Sequence, residues 1–108
     1  MDELHARAPR FAIKTSIHYR LIGGTIWLEG TTENISRTGV LFLGGHLLES
    51  RAVIQMCFDL PVSMNEGGSG HVVCRGFVVR TTPTAEPNLT AIAASIQSYR
   101  LLRGHYEL

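Results

Sequence analysis

The chain has 108 residues, 44% of them hydrophobic, and a formal net charge of +1. That is the length of one domain. Its apolar content excludes a disordered chain, and its near-neutrality excludes a whole-molecule field that would draw in nucleic acid or anionic membrane. No apolar run approaches the roughly 18 residues that span a bilayer. The opening Met1-Asp2-Glu3-Leu4-His5 lacks the basic and apolar stretches of a signal peptide, so a soluble, cytoplasmic protein without membrane insertion is expected. Nine of the ten basic residues are Arg, Lys14 being the single Lys. Any anion recognition must therefore come from locally placed guanidinium groups, which favour planar, bidentate contacts.

In chain order, Ile13 to Leu21 alternates. Ile13, Ile17, Tyr19 and Leu21 fall on one side, with Lys14, Ser16, His18 and Arg20 on the other, as in a half-buried strand. Gly23-Gly24 follows and permits a tight hairpin. A second strand is predicted over Thr25–Glu33, with Ile26 and Leu28 inward and Trp27, Glu29 and Thr31 outward. A third is predicted over Thr38–Leu43, ended by Gly44-Gly45. Val53 to Leu60 alternates again, with Ile54, Met56, Phe58 and Leu60 on one face and Pro61 as its stop. Asn65 to Gly70 reads as a loop. His71 to Thr81 is β-branched and apolar, with Gly76 marking a bulge or barrel bend. After the turn at Thr82–Asn88, Leu89–Ile96 is predicted as a sixth strand. Tyr99, Leu102 and Tyr106 recur at helical spacing and predict a short C-terminal helix.

Six short strands separated by Gly- and Pro-containing turns point to a small all-β barrel or sandwich. There are no internal repeats and no linker, so residues 1–108 read as one domain. Residues 1–12 form an N-terminal loop, 13–96 the β body and 97–108 the helix and tail.

The residue patterns give no sign of catalysis. The five histidines are scattered, with no HxH or HExxH spacing, and no nucleophile elbow or P-loop occurs. Cys57 and Cys74 form no CxxC pair and read as two buried or half-buried thiols. No metal and no cofactor is expected, and no enzyme.

Two segments do carry chemistry. Asn34-Ile35-Ser36-Arg37-Thr38-Gly39 breaks the alternation with an amide, a hydroxyl and a glycine inside six residues. Such a group can contact a ligand or simply brace a turn. Upstream, Arg7-Ala8-Pro9-Arg10 puts two guanidinium groups on a Pro-stiffened segment, suited to phosphate oxygens and to the O6/N7 edge of guanine. Arg37 and Arg80 can add positive charge nearby, Arg80 reading as an ordinary solvent-facing residue.

An Arg-bearing N-terminal loop, one strand, a Gly-rich hairpin and then N-x-S-x-x-G before an apolar strand resembles the PilZ domain, over essentially the whole chain. The resemblance implies a six-stranded antiparallel β-barrel with a C-terminal helix, acting as a bacterial receptor for cyclic di-GMP. It further implies that the loop arginines grip phosphates and guanine edges while the turn adds polar contacts. Asn34, Ser36 and Gly39 match the family turn, and Arg10 matches the second Arg of R-x-x-x-R. The first Arg position is occupied by Ala6, and Arg7 stands one residue late. The expected ligand-contacting set is therefore Arg7, Arg10, Asn34, Ser36 and Gly39, with Arg37 beside it.

The alternative is a degenerate PilZ-like adaptor that works through a protein partner of unknown identity without binding nucleotide. Binding to a nucleic acid polymer is disfavoured, because single-strand-binding barrels use basic grooves with aromatic platforms and only 7% of this chain is aromatic. Apolar positions on both faces of Thr38–Leu43 are compatible with a homodimer.

Overall fold

The computed structural model describes residues 9–46, 48–60 and 70–103. They form six strands: β1 (Ser16–Leu21), β2 (Leu28–Ile35), β3 (Gly39–Gly44), β4 (Val53–Leu60), β5 (Gly70–Pro83) and β6 (Thr90–Arg103). The strands close into a barrel in the order β1-β2-β3-β6-β5-β4, every neighbouring pair antiparallel. Closure gives each strand two partners, which removes most of the exposed edge; beyond Ile96, β6 is paired with β5 alone among the described residues.

Period-two patterning fills the interior. Ile17 and Tyr19 from β1, Phe42 from β3, Ile54 and Met56 from β4, Val78 from β5 and Ile92 from β6 are all fully enclosed. Removing a side chain of this size from water contributes about 1.5–3 kcal/mol. The Tyr19 ring lies 4.8 Å from that of Phe42, tilted by 53°, a geometry that suits the ring quadrupoles. The Tyr19 hydroxyl has no hydrogen-bond partner among the described residues, and burial pushes its pKa up.

The hairpin expected at Gly23-Gly24 is present, with Gly23 at φ 81°. Gly76 sits at a register shift: Arg75 pairs with Ser98 but Gly76 with Ile96, leaving Gln97 as the extra residue. A Cβ at Gly76 would collide with the Ser95 carbonyl oxygen, which accounts for glycine at this bend.

Three expectations need correction. β2 begins at Leu28, so Ile26, expected inward, is 72% exposed in the hairpin. At its other end β2 runs through Asn34 to Ile35, with a register shift between Thr32 and Asn34. The helix expected from Tyr99 and Leu102 is absent over residues 97–103, where β6 continues as a strand paired with β5. The bulge at Gln97 breaks the alternation and leaves Tyr99 and Leu102 spaced like a helical pair. Tyr106, Pro61 and Asn65–Ser69 lie outside the described residues.

The thiols are as expected. Cys57 opposes Val73 and Cys74 opposes Met56, so one side chain points out of the barrel and the other in. They cannot form a disulfide with each other without a change of face. Burial, then the neighbouring Cys57, pushes the Cys74 thiol up to about 12. It is an unreactive packing group.

Gly76→Ala should lower stability by about 1–3 kcal/mol, because backbone must shift to admit the methyl group. Thermal unfolding followed by circular dichroism measures this, and an unchanged melting temperature would contradict the close packing at this bend.

Candidate functional site

The residues leading into β1 do not hang free of the barrel. Phe11 and Ile35 exchange two backbone hydrogen bonds, each 2.9 Å, N–H to O in both directions. Thr32 N–H donates to Thr15 O at 2.8 Å. The Thr32 hydroxyl, fully buried, accepts from Thr15 N–H at 2.9 Å and donates to Ile13 O at 2.6 Å. Lys14 adds an ion pair to Glu33 at 2.8 Å, exposed and therefore of little energetic weight. Residues 11–15 are thus stitched along β2 by backbone and one threonine.

This stitching decides where Arg10 goes. Its Nη1 donates to Asn34 Oδ1 at 2.9 Å, across 24 residues of sequence. The arginine and the turn asparagine, read separately in the sequence, stand side by side. The Asn34 amide nitrogen and the other guanidinium N–H groups have no hydrogen-bond partner among the described residues. Arg7 lies outside the described residues.

Ser36 is deeply placed, only 7% exposed. Its N–H donates to Gly39 O at 2.8 Å, and its Oγ accepts from Thr38 N–H at 3.2 Å and Gly39 N–H at 3.1 Å. It is the brace of the β2–β3 turn, and its acceptor capacity is engaged there. Gly39 lies against β6, where an added Cβ would stand 3.0 Å from the Ala94 carbonyl oxygen. Thr38 O accepts from Ile96 N–H at 2.9 Å, fixing the turn to β6 as well. Arg37 points outward from this rigid bend and is exposed. Arg80 is also exposed, as expected; its register row runs through Ala93 and Leu41 to Asn34, three strands away.

Beside the turn, the same end of the barrel carries an apolar recess of about 220 Å³. Phe11, Ile13, Ile35, Phe58, Ile96 and Leu101 line it, with Ser36 and Arg37. An apolar wall next to the Arg37 guanidinium can take a planar base by its face and an anionic group by its edge, and the Arg10–Asn34 pair stands at the same end on the other face of β2 from Ile35. Phe11 and Thr32 were not legible as site residues. Phe11 is a lone aromatic before a strand, and threonine in a strand ordinarily reads as solvent-facing.

Among the described residues no three His, Cys, Asp or Glu side chains gather as a metal would need. His18 faces Glu29 at 3.9 Å and His71 meets Asp59 at 2.7 Å. Each imidazole thus has a carboxylate neighbour, and the two histidines do not meet each other. No described helix is long and apolar enough to cross a membrane.

Thr32→Val keeps the shape but strands Thr15 N–H and Ile13 O without their buried partner. It should cost about 1–3 kcal/mol in urea denaturation and speed amide exchange at Ile13 and Thr15. Unchanged exchange at both would contradict the stitching.

Among curated proteins no sequence match is found. Among solved structures, the barrel is similar to Bacillus subtilis inhibitor of motility (MotI/DgrA), with a TM-score of 0.71 at 13% sequence identity. The match covers 86% of this chain and 43% of that one, so this chain spans less than half of that protein's length. At this identity the likeness speaks for the fold. Residues 5–103 match the family described as the PilZ domain. That match takes in the arm, the N-x-S-x-x-G turn and all six strands, and the chain belongs to the PilZ domain family, a family of cyclic di-GMP receptors.

Proposed function

We propose that this chain binds cyclic di-GMP at the end of the barrel that carries the Arg10–Asn34 pair and the apolar recess bordered by Arg37. The observation that carries the reading is the 2.9 Å hydrogen bond from Arg10 to Asn34, which joins the two halves of the family motif. A cyclic dinucleotide offers two phosphates and two guanines. Arg10 and Arg37 supply charged donors for phosphate oxygens or guanine O6 and N7. The Asn34 amide supplies a donor and an acceptor, and the recess supplies an apolar surface for a base. Ser36 and Gly39 act by holding the turn, so that these groups stay at fixed spacing. Arg7 belongs to the proposed set through its place in the arm.

Because residues 11–15 are already held on β2, their ordering is not left to the binding step. The chemistry is binding, with no group transfer and no cofactor.

One feature favours the adaptor alternative: Ala6 stands where the family pattern has its first Arg. Isothermal titration of the chain with cyclic di-GMP separates the readings. Saturable heat is expected at micromolar protein. Arg10→Ala should weaken binding about tenfold to a hundredfold, the worth of one charge-assisted hydrogen bond, and Ala6→Arg should strengthen it by a similar factor. No heat from the unmodified chain at large ligand excess removes the receptor reading. Heat appearing only with Ala6→Arg identifies a degenerate site and favours the adaptor.

A further inference from the structure

The outer wall formed by β2, β1, β4, β5 and β6 carries a second organised surface, distinct from the motif turn. Outward residues fall into rows across the strands. One row runs Arg20, Gln55, Arg75, Ser98, and the next runs Glu29, His18, Cys57, Val73, Arg100. Trp27 caps the first row, with the Arg20 guanidinium 4.5 Å from its ring centroid. Arg20 Nε also donates to Gln55 Oε1 at 2.8 Å. The guanidinium is thereby held between an aromatic ring and an amide oxygen. Arg75 and Arg100 are exposed. Among the described residues no carboxylate lies within salt-bridge distance of any of the three arginines, while Glu29 and Asp59 face His18 and His71 instead.

Beside Arg75 and Arg100 lies a depression of about 280 Å³, lined by these two arginines with Gln55, Val73, Cys74, Ser98 and Tyr99. At the hairpin end, Leu21, Ile22, Ile26 and Trp27 are between 41% and 72% exposed. Stacked aromatic, arginine and exposed aliphatic groups around a concavity are the composition of protein–protein hot spots.

We infer that this wall is a docking surface for an acidic amphipathic helix of a protein partner. Charge fixes the sign of the partner, since three arginines without carboxylate neighbours are complementary to carboxylates. Topology fixes its form. Gln55 and Arg75 are paired with strands on both sides, so no strand edge opens between the arginines to an extended segment, whereas a helix brings a backbone already satisfied. Arg20 and Arg75 stand two strands apart, about 10 Å, which is close to the rise between residues i and i+7 of a helix, about 10.5 Å. Two glutamates at that spacing reach both guanidinium groups across Gln55, and a leucine beside them faces the depression next to Arg75. This surface is separate from the Arg10–Asn34 site and stands whether or not nucleotide binds there.

Trp27, the only tryptophan of the chain, reports on this surface directly. The probe is a Trp-free amphipathic helical peptide with Glu at i and i+7 flanking Leu, titrated against the full chain while Trp27 emission is followed. A saturable emission shift is expected, weakened about tenfold or more in Arg75→Glu/Arg100→Glu and suppressed by added salt. The same peptide with Lys for Glu should give no shift. No saturable response to the Glu peptide, or an unchanged response in the double variant, overturns the proposal. An equal or stronger response to a thymidylate oligomer of matched charge, or to phosphatidylglycerol vesicles, overturns the assignment to a protein. Circular dichroism shows whether the variant is folded; if it is not, the salt dependence and the Lys-peptide comparison on the unmodified chain decide.

Discussion

One buried hydroxyl organises the business end of this barrel. Thr32 points into the interior from β2 and satisfies Thr15 N–H and Ile13 O, two groups that precede β1. Without it those backbone groups would be shut away from water unpaired, at a cost of order 1–3 kcal/mol. With it, residues 11–15 run as a short extension of the sheet, Phe11 bridges to Ile35, and Arg10 emerges beside Asn34. The position of the Arg10 guanidinium is thus set by core packing rather than by a loose loop. A site held this way keeps its donors close to binding geometry before the ligand arrives, which is how preorganisation lowers the cost of recognition.

The same rigidity separates the molecule's surfaces. The turn braced by Ser36 sits at one end of the barrel, next to the apolar recess. The hairpin with Gly23 and Trp27 sits at the other end, and the arginine rows occupy the wall between. β-Barrels with closed hydrogen bonding do not deform continuously, so these regions behave as fixed platforms.

Much of this was legible in sequence. β1 and β4 alternate cleanly because each has one face in the core, and the glycines at 23 and 76 mark the hairpin and the bend they in fact form. The N-x-S-x-x-G turn was visible as a break in alternation, although Ser36 turns out to be spent on the turn itself. What was hidden depended on partners distant in sequence. Gly30 and Thr32 face inward without being apolar, so the alternation of β2 is not visible in its hydrophobic pattern and Ile26, in the hairpin, mimics a core residue. The extra residue at Gln97 disguised the end of β6 as a helix. Arg20, Gln55, Arg75 and Arg100 are scattered along the chain, and only the strand order β1-β4-β5-β6 brings them into one face.

The proposed binding unit joins the segment from Arg10 to Ile13 with the β2–β3 turn. Nuclear magnetic resonance of the nitrogen-labelled chain titrated with cyclic di-GMP, reading backbone amides and the Arg10 side chain together, tests it. The largest changes are expected on residues 10–13 and 34–39, with the Arg10 Nε resonance moving in step with Asn34. Changes centred on Arg20, Arg75 and Arg100, or shifts in the turn that leave Arg10 unmoved, would contradict it.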